Sequence, residues 1–278
     1  MAQPVTPSDR MPPPGLDRRR VVYRTFQVAQ ALAVLGGLFW LVAVGIGQLD
    51  YNWQWYRVQP FFYRVVDGEL IWGPLVRGLM LTLKIAGLAG LLAILIGFLT
   101  ALARMSGSFA GRVIAMVYLE AIRNTPLLVQ LFLVYFVLAP IIGLDRFWAG
   151  VLCLAFFEGS FAAEIIRGGL RGVDRGQVEA ARAIGLTTID SYRYIIVPQA
   201  LPLILPPLTG LMISTIKHSA IVSVIALAEL TTQALNLISN TFMAFEIWFM
   251  VAAIYLCLTV SLSFAVALFE SRLNKPRR

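Results

Sequence analysis

The sequence predicts an all-α integral membrane protein with about six transmembrane helices. Three observations carry this expectation. Of 278 residues, 59% are hydrophobic and only 14% are charged, a balance too apolar for a soluble domain of this length. The apolar residues gather into runs of about 20 or more, long enough to cross a hydrocarbon core. The basic residues fall between those runs, and mostly on one side.

Residues 1–27 are polar and proline-rich and read as a disordered cytoplasmic N-terminus. Arg18, Arg19, Arg20 and Arg24 lead into an apolar run at 28–47. Its polar leader is too long for a cleaved signal peptide, so the run reads as a retained anchor helix. Residues 48–70 form an external loop. Trp53, Trp55, Tyr56, Phe61 and Phe62 suit the headgroup region there, where an amphipathic ring meets both solvents. Five further spans follow near 72–103, 113–138, 148–166, 207–227 and 246–269. The first carries the small pairs Ala86/Gly90, Ala93/Gly97 and Gly97/Ala101, which let helix backbones approach closely in lipid. The core is thus expected over 71–273, with a short cytoplasmic tail at 274–278.

With the N-terminus inside, 16 of the 23 basic residues lie on inner segments and 3 on outer ones (Arg57, Arg64 and Arg146). This bias fixes the orientation and places 174–198 in the cytoplasm. The net charge of +8 therefore reflects topology and not a nucleic-acid partner. Cys153 and Cys257 both lie in apolar runs, and His218 is the sole histidine, so neither a disulfide framework nor a metal site is expected. The chain lacks a G-x-x-x-x-G-K-[ST] phosphate loop, so any ATP that drives it must bind another subunit. No internal repeat points to an inverted-repeat carrier.

The stretch 174–198 stands out as polar and helical between apolar runs. Asp174 with Gln177 fits a capping box, Gly185 fits a left-handed helix stop, and Thr187 with Asp190 fits a restart. Pro198 is expected to close the second helix. An ordinary structured loop is the alternative to a docking element.

The residues favour docking. Glu179-Ala180-Ala181, then Gly185, Ile195 and Val197-Pro198 resemble the EAA loop of binding-protein-dependent ABC importer permeases, with Val197 where that family has leucine. The runs 123–130 (RNTPLLVQ), 163–169 (AEIIRGG) and 197–200 (VPQA) resemble its polar amino acid subfamily, the histidine, glutamate, glutamine, arginine and opine permeases. The likeness covers roughly 70–273. It implies a type I (MetI-like) importer core of five spans plus the extra N-terminal anchor, in a bacterial inner membrane, with 48–70 periplasmic. It implies no catalytic residue in this chain. A cytoplasmic ABC ATPase dimer would hold the ATP and Mg and dock at Gln177, Glu179, Ala180, Ala181 and Gly185. A second permease subunit, identical or paralogous, and a periplasmic or extracellular amino acid binding protein complete the expected partners.

Ionisable groups inside lipid usually face a cavity, a partner or a pathway. Lys84, Glu120, Arg123, Glu158, Glu164, Lys217 and Glu229 are such groups. Glu120 with Arg123, and Glu164 with Arg167, are spaced to pair within one helix. The resemblance puts the segments of Glu164 and Lys217 beside the translocation path. There a carboxylate and a cation could hold the two poles of an amino acid. His218 and Ser219 stand where the family usually has aspartate and threonine, which leaves specificity open. An ATP-independent amino acid carrier or channel is the alternative function. An intramembrane hydrolase built on Ser160 and His218 is a more distant one.

Overall fold

A computed structural model describes residues 18–48 and 51–273 of the chain. The chain divides into two units, 1–53 and 54–278. In the first, α1 (Arg18–Gln48) begins well ahead of position 28. Its apolar stretch among the described residues, Phe26–Leu41, is shorter than the spans of the second unit. The expected leader before residue 18 and the tail at 274–278 lie outside the described residues.

Ahead of its long helices the second unit carries a small non-helical element that the hydropathy pattern does not reveal. Strands β1 (Tyr63–Val66) and β2 (Glu69–Trp72) pair antiparallel through a two-residue turn. Asp67 and Gly68 both have positive φ, +53° and +81°, the mirror-type turn whose twist matches paired strands. The expected loop is thus a hairpin that ends at Trp72, and it is preceded by short helical turns at Trp55–Arg57 and Gln59–Phe62. Phe61 is not at a headgroup. It is buried with Leu75, Leu230, Met243 and Ile247, because the chain folds back until a Cβ on Gly73 would strike the Phe61 carbonyl.

The helices that follow are α2 (Pro74–Met105), α3 (Phe109–Arg123), α4 (Leu127–Ile142), α5 (Arg146–Arg171), α6 (Arg175–Ala183), α7 (Thr188–Ile225), α8 (Leu230–Thr241) and α9 (Ala244–Leu273). Four are long and apolar enough to span singly, and α3 with α4, bent by 107° at their junction, passes the same test as a pair. The core thus has four spans, or five with the bent pair counted as one. The bend interrupts what the sequence reads as one span over 113–138. Pro126 has no N–H and pushes Thr125 out of helical backbone. The carbonyls this frees would be orphaned in lipid. Side chains satisfy them: Asn124 Nδ2 donates to the Glu120 carbonyl at 2.9 Å and Thr125 Oγ1 to Ala121 at 2.8 Å. Gln130 Nε2 then donates to both Ile122 (2.7 Å) and Thr125 (2.8 Å). The polar residues of the RNTPLLVQ run thus cap a broken helix.

The centre of the bundle is α2 against α5. The small stripe works as the sequence predicts: Ala86, Gly90, Ala93, Gly97 and Ala101 are all buried. A Cβ on Gly97 would lie 2.5 Å from the Ala162 Cβ, and one on Gly90 would lie 2.5 Å from the Met212 sulfur. Two further clusters continue this packing. One joins Ile85, Leu131, Leu154 and Val222; the other joins Ala101, Ile166, Ile196 and Ile204.

Pro198 does not end a helix, contrary to the expectation. It lies in the unbroken run of α7. The preceding turn, Ser191–Ile196, is a π turn, with Val197 N–H donating to the Tyr192 carbonyl five residues back. The same arrangement precedes Pro140, where Ala139 N–H donates to the Val134 carbonyl. A proline ring presses on the carbonyl four residues earlier. A π turn moves that carbonyl aside, so the helix widens locally and continues.

Candidate functional site

The 174–198 element is built as the sequence indicates, with one change at its start. Asp174 caps α6, but its carboxylate accepts from Gly176 N–H at 2.6 Å, while Gln177 N–H goes to the Asp174 carbonyl at 3.1 Å. At the other end Gly185 has φ +81°. Its N–H donates to the Arg182 carbonyl at 3.0 Å, and Leu186 N–H donates to Ala181 at 3.1 Å. These two bonds form a Schellman motif, which closes the last carbonyls of the helix. Thr187 restarts the chain: its Oγ1 accepts from Asp190 N–H at 3.2 Å and donates to the Asp190 carboxylate at 2.5 Å.

Helix α6 is amphipathic. Ala181 is buried, and Val178 packs into the cluster of Val173, Tyr192 and Ile196. Gln177, Glu179, Ala180, Ala183 and Gly185 face out. At the tip Ile184 and Ile189 are 75% and 76% exposed, although nothing in their chemistry favours water. Two exposed apolar side chains thus sit among charged neighbours at the end of a capped helix–turn–helix. Helix α7 runs unbroken from Thr188 through the π turn into a stretch long and apolar enough to cross a membrane, so the element is mechanically continuous with that helix.

The ionisable groups within the spans are arranged differently from the pairs the sequence suggests. Glu164 does pair with Arg167, at 2.5 Å to Nη2 and 3.0 Å to Nε. It also binds Arg104, which lies 60 residues away in sequence at the end of α2, and lies 3.8 Å from Arg123. Arg123 therefore turns to Glu164 and not to Glu120, which accepts instead from Asn124 Nδ2 at 2.8 Å. Buried Glu158 lies 2.5 Å from His218 Nδ1. Lys217 is exposed, and Ser219 is buried with its hydroxyl donating to the Ile216 carbonyl at 2.7 Å. Among the described residues, no hydrogen bond or ion pair joins Glu164 to Lys217. His218, the residue next to Lys217, pairs instead with Glu158, six residues or about 9 Å along α5 from Glu164. Ser160 donates to the Phe157 carbonyl at 2.7 Å. With His218 held by Glu158, no Ser–His nucleophile pair forms, and the hydrolase reading loses its geometry.

Sequence reasoning flagged Glu229 as ionisable but did not give it a role. The side chain is fully buried and caps α8, accepting from Thr231 N–H at 2.9 Å and Thr232 N–H at 2.7 Å. Thr82 Oγ1 and Tyr255 Oη lie within 3.4 Å and 3.3 Å, so one carboxyl ties α8 to α2 and α9. Burial lifts this carboxyl above the usual carboxylate range, against the pull of the two N–H donors.

Comparison with known proteins gives a consistent picture. Residues 93–275 match the family model described as binding-protein-dependent transport system inner membrane component. The glutamine transport system permease protein GlnP of Escherichia coli K12 is 38% identical over 216 residues, covering 75% of this chain and 98% of that one. The octopine transport system permease protein OccM of Rhizobium meliloti is 35% identical over 214 residues, covering 73% and 87%. A solved structure of an amino acid ABC transporter superposes with a TM-score of 0.68 at 44% identity, covering 72% of this chain and 94% of that one. The MetNI methionine ABC transporter, at 21% identity and a TM-score of 0.63, shares the fold.

Proposed function

The chain belongs to the family of binding-protein-dependent transport system inner membrane components, and from that premise we propose that it carries polar L-amino acids as the permease subunit of an ATP-driven importer. The observation that carries the mechanism is the exposed, doubly capped 174–196 element continuous with α7. A cytoplasmic ATPase dimer, which holds the ATP and Mg, grips α6 at Gln177, Glu179 and Ala180. Buried Ala181 and the Gly185 turn keep that surface in shape. Closure of the ATPase pair pushes Thr188 and the helix it begins. The span then tilts against α2 and α5, because close-packed helices shift as rigid bodies. A second permease subunit, identical or paralogous, supplies the other wall of the path. A periplasmic binding protein delivers substrate to the outer face in a bacterial inner membrane, and α1 serves as an additional anchor. Lys217 and His218 line the path near its middle. An ATP-independent carrier has no use for an apolar docking face at the end of a lever.

The test is capture of the ATPase by the tagged permease in detergent, with wild type beside Ala180→Arg. Ala180 is exposed, so arginine there leaves the fold intact and obstructs the interface. Wild type retains the ATPase and the variant loses it. Equal retention by both would place the interface elsewhere.

A further inference from the structure

Helix α5 presents a stripe of residues that each meet a charged or polar side chain from another helix. Phe157, Phe161 and Glu164 recur at the spacing of one helix face. Each carries a charged or polar neighbour from another helix. His218 stands edge-on to Phe157 at 6.0 Å, and the Arg123 guanidinium lies over Phe161 at 5.7 Å. Arg104, Arg123 and Arg167 converge on Glu164. The side chains of Arg104, Arg123, Glu164 and Arg167 remain 31%, 45%, 25% and 22% exposed. Charges left open at these helix ends face water, a path or a partner.

The charge does not balance. Among the described residues, Glu164 is the one carboxylate within 4.0 Å of these three guanidiniums, which leaves a net charge of +2. The donors do not balance either. Arg104 and Arg167 both bond to Glu164, whereas Arg123, at 3.8 Å, is beyond hydrogen-bond reach. Its planar fork is pre-positioned by Phe161 and open to a second anion. A guanidinium fork matches a carboxylate in two-point geometry.

We propose that Arg104, Arg123 and Arg167, closed around Glu164, form a carboxylate-binding station on the inner half of the translocation face, taking the α-carboxylate of the transported amino acid before its release. The station rests on the permease reading and deepens it. It reverses the polarity expected of Glu164: that carboxylate orders the arginines, and the substrate contributes the second anion. Arg123 is the contact residue and Glu164 the positioning residue.

The test uses the detergent-purified complex of this chain with its ATPase, without binding protein, and reads the thermal midpoint against added ligand. The probes are L-glutamine, L-glutaminamide (which keeps the ammonium and side chain but lacks the carboxylate), acetate and acetamide. Acetate and L-glutamine stabilise wild type, the amides do not, and Arg123→Gln weakens acetate binding roughly tenfold, with Arg123→Lys, which keeps the charge but not the two-point fork, falling between them. Amides as effective as the acids, or acetate binding unchanged in Arg123→Gln, overturns the proposal. Should Arg123→Gln not assemble, the comparison of acetate with acetamide on wild type decides alone. A shift that depends on Arg123 and arises from phosphatidylglycerol, but not from acetate, assigns the cluster to a lipid phosphate and also rejects it. ATP-driven uptake by the same wild-type complex, reconstituted into proteoliposomes and supplied with its binding protein, is measured in parallel. Its absence counts against the permease reading, while the acetate titration still decides the station.

Discussion

Replacing Gly185 separates backbone conformation from side-chain size, because the structure isolates the first. A Cβ at this position meets nothing within 4 Å, yet φ is +81°. Alanine therefore encounters no neighbour, and its whole penalty is that of an L-residue in left-handed backbone. That penalty is about 1–2 kcal/mol for an ordinary residue and greater for a β-branched one. The energy acts locally on α6, a nine-residue helix with one buried residue, Ala181. About 1–2 kcal/mol shifts a local equilibrium by a factor of roughly 5–30, enough to fray the Schellman bonds to Arg182 and Ala181. The series Asn, Ala, Val should lower ATP-driven uptake in that order, with Asn nearest wild type because it tolerates the left-handed region. Insertion into the membrane should be unchanged, because α6 lies outside the spans. Uptake in proteoliposomes, normalised to inserted protein, gives the ranking. Wild-type uptake in Gly185→Val, or Asn as damaging as Val, would refute the reasoning.

Other substitutions probe the core. Gly97→Val drives new methyl groups into Ala162 and the Ala163 N–H, 2.5 Å and 2.9 Å from the first added carbon. Overpacking of this kind costs about 1–3 kcal/mol, so the thermal midpoint in detergent should fall, and an unchanged midpoint would mean that α2 and α5 are not in close contact. Glu229→Ala removes the α8 cap and its links to Thr82 and Tyr255. It should destabilise by about 1–3 kcal/mol, measurable by the same melt, whereas Glu229→Gln, which keeps an acceptor, should lose less. Cysteines placed at Ser8 and Asn274, in a background lacking Cys153 and Cys257, should resist impermeant reagent in intact cells, as the inside bias of basic residues requires. Labelling of either from outside would reject that topology.

Much of the fold is legible locally. The small stripe of α2, the glycine stop at 185 and the Thr187 cap depend on neighbours within one helical turn, and each stands where the sequence puts it. The i,i+3 pair of Glu164 with Arg167 is local in the same sense. What sequence reading misses is either ambiguous locally or set at long range. Asp67-Gly68 is a recognisable hairpin turn, but the aromatic residues around it suggest a headgroup loop. Pro198 reads as a helix end, because a π turn that absorbs a proline leaves no sequence pattern of its own. The Arg104 and Glu164 contact spans 60 residues and the Glu229 and Thr82 contact 147. Such pairs are fixed by helix packing alone, so the arginine cluster becomes visible only once α2, α3 and α5 are assembled.

The central claim is that force from a partner ATPase, entering at 174–196, drives this chain as a permease. Uptake of labelled L-glutamine by proteoliposomes containing the permease, its ATPase and its binding protein tests that claim most directly, with ATP or a non-hydrolysable analogue enclosed. Accumulation that requires both ATP hydrolysis and the binding protein, and that disappears in Ala180→Arg, is the predicted result. Equal uptake with the analogue would contradict the claim and identify a carrier that works without the ATPase.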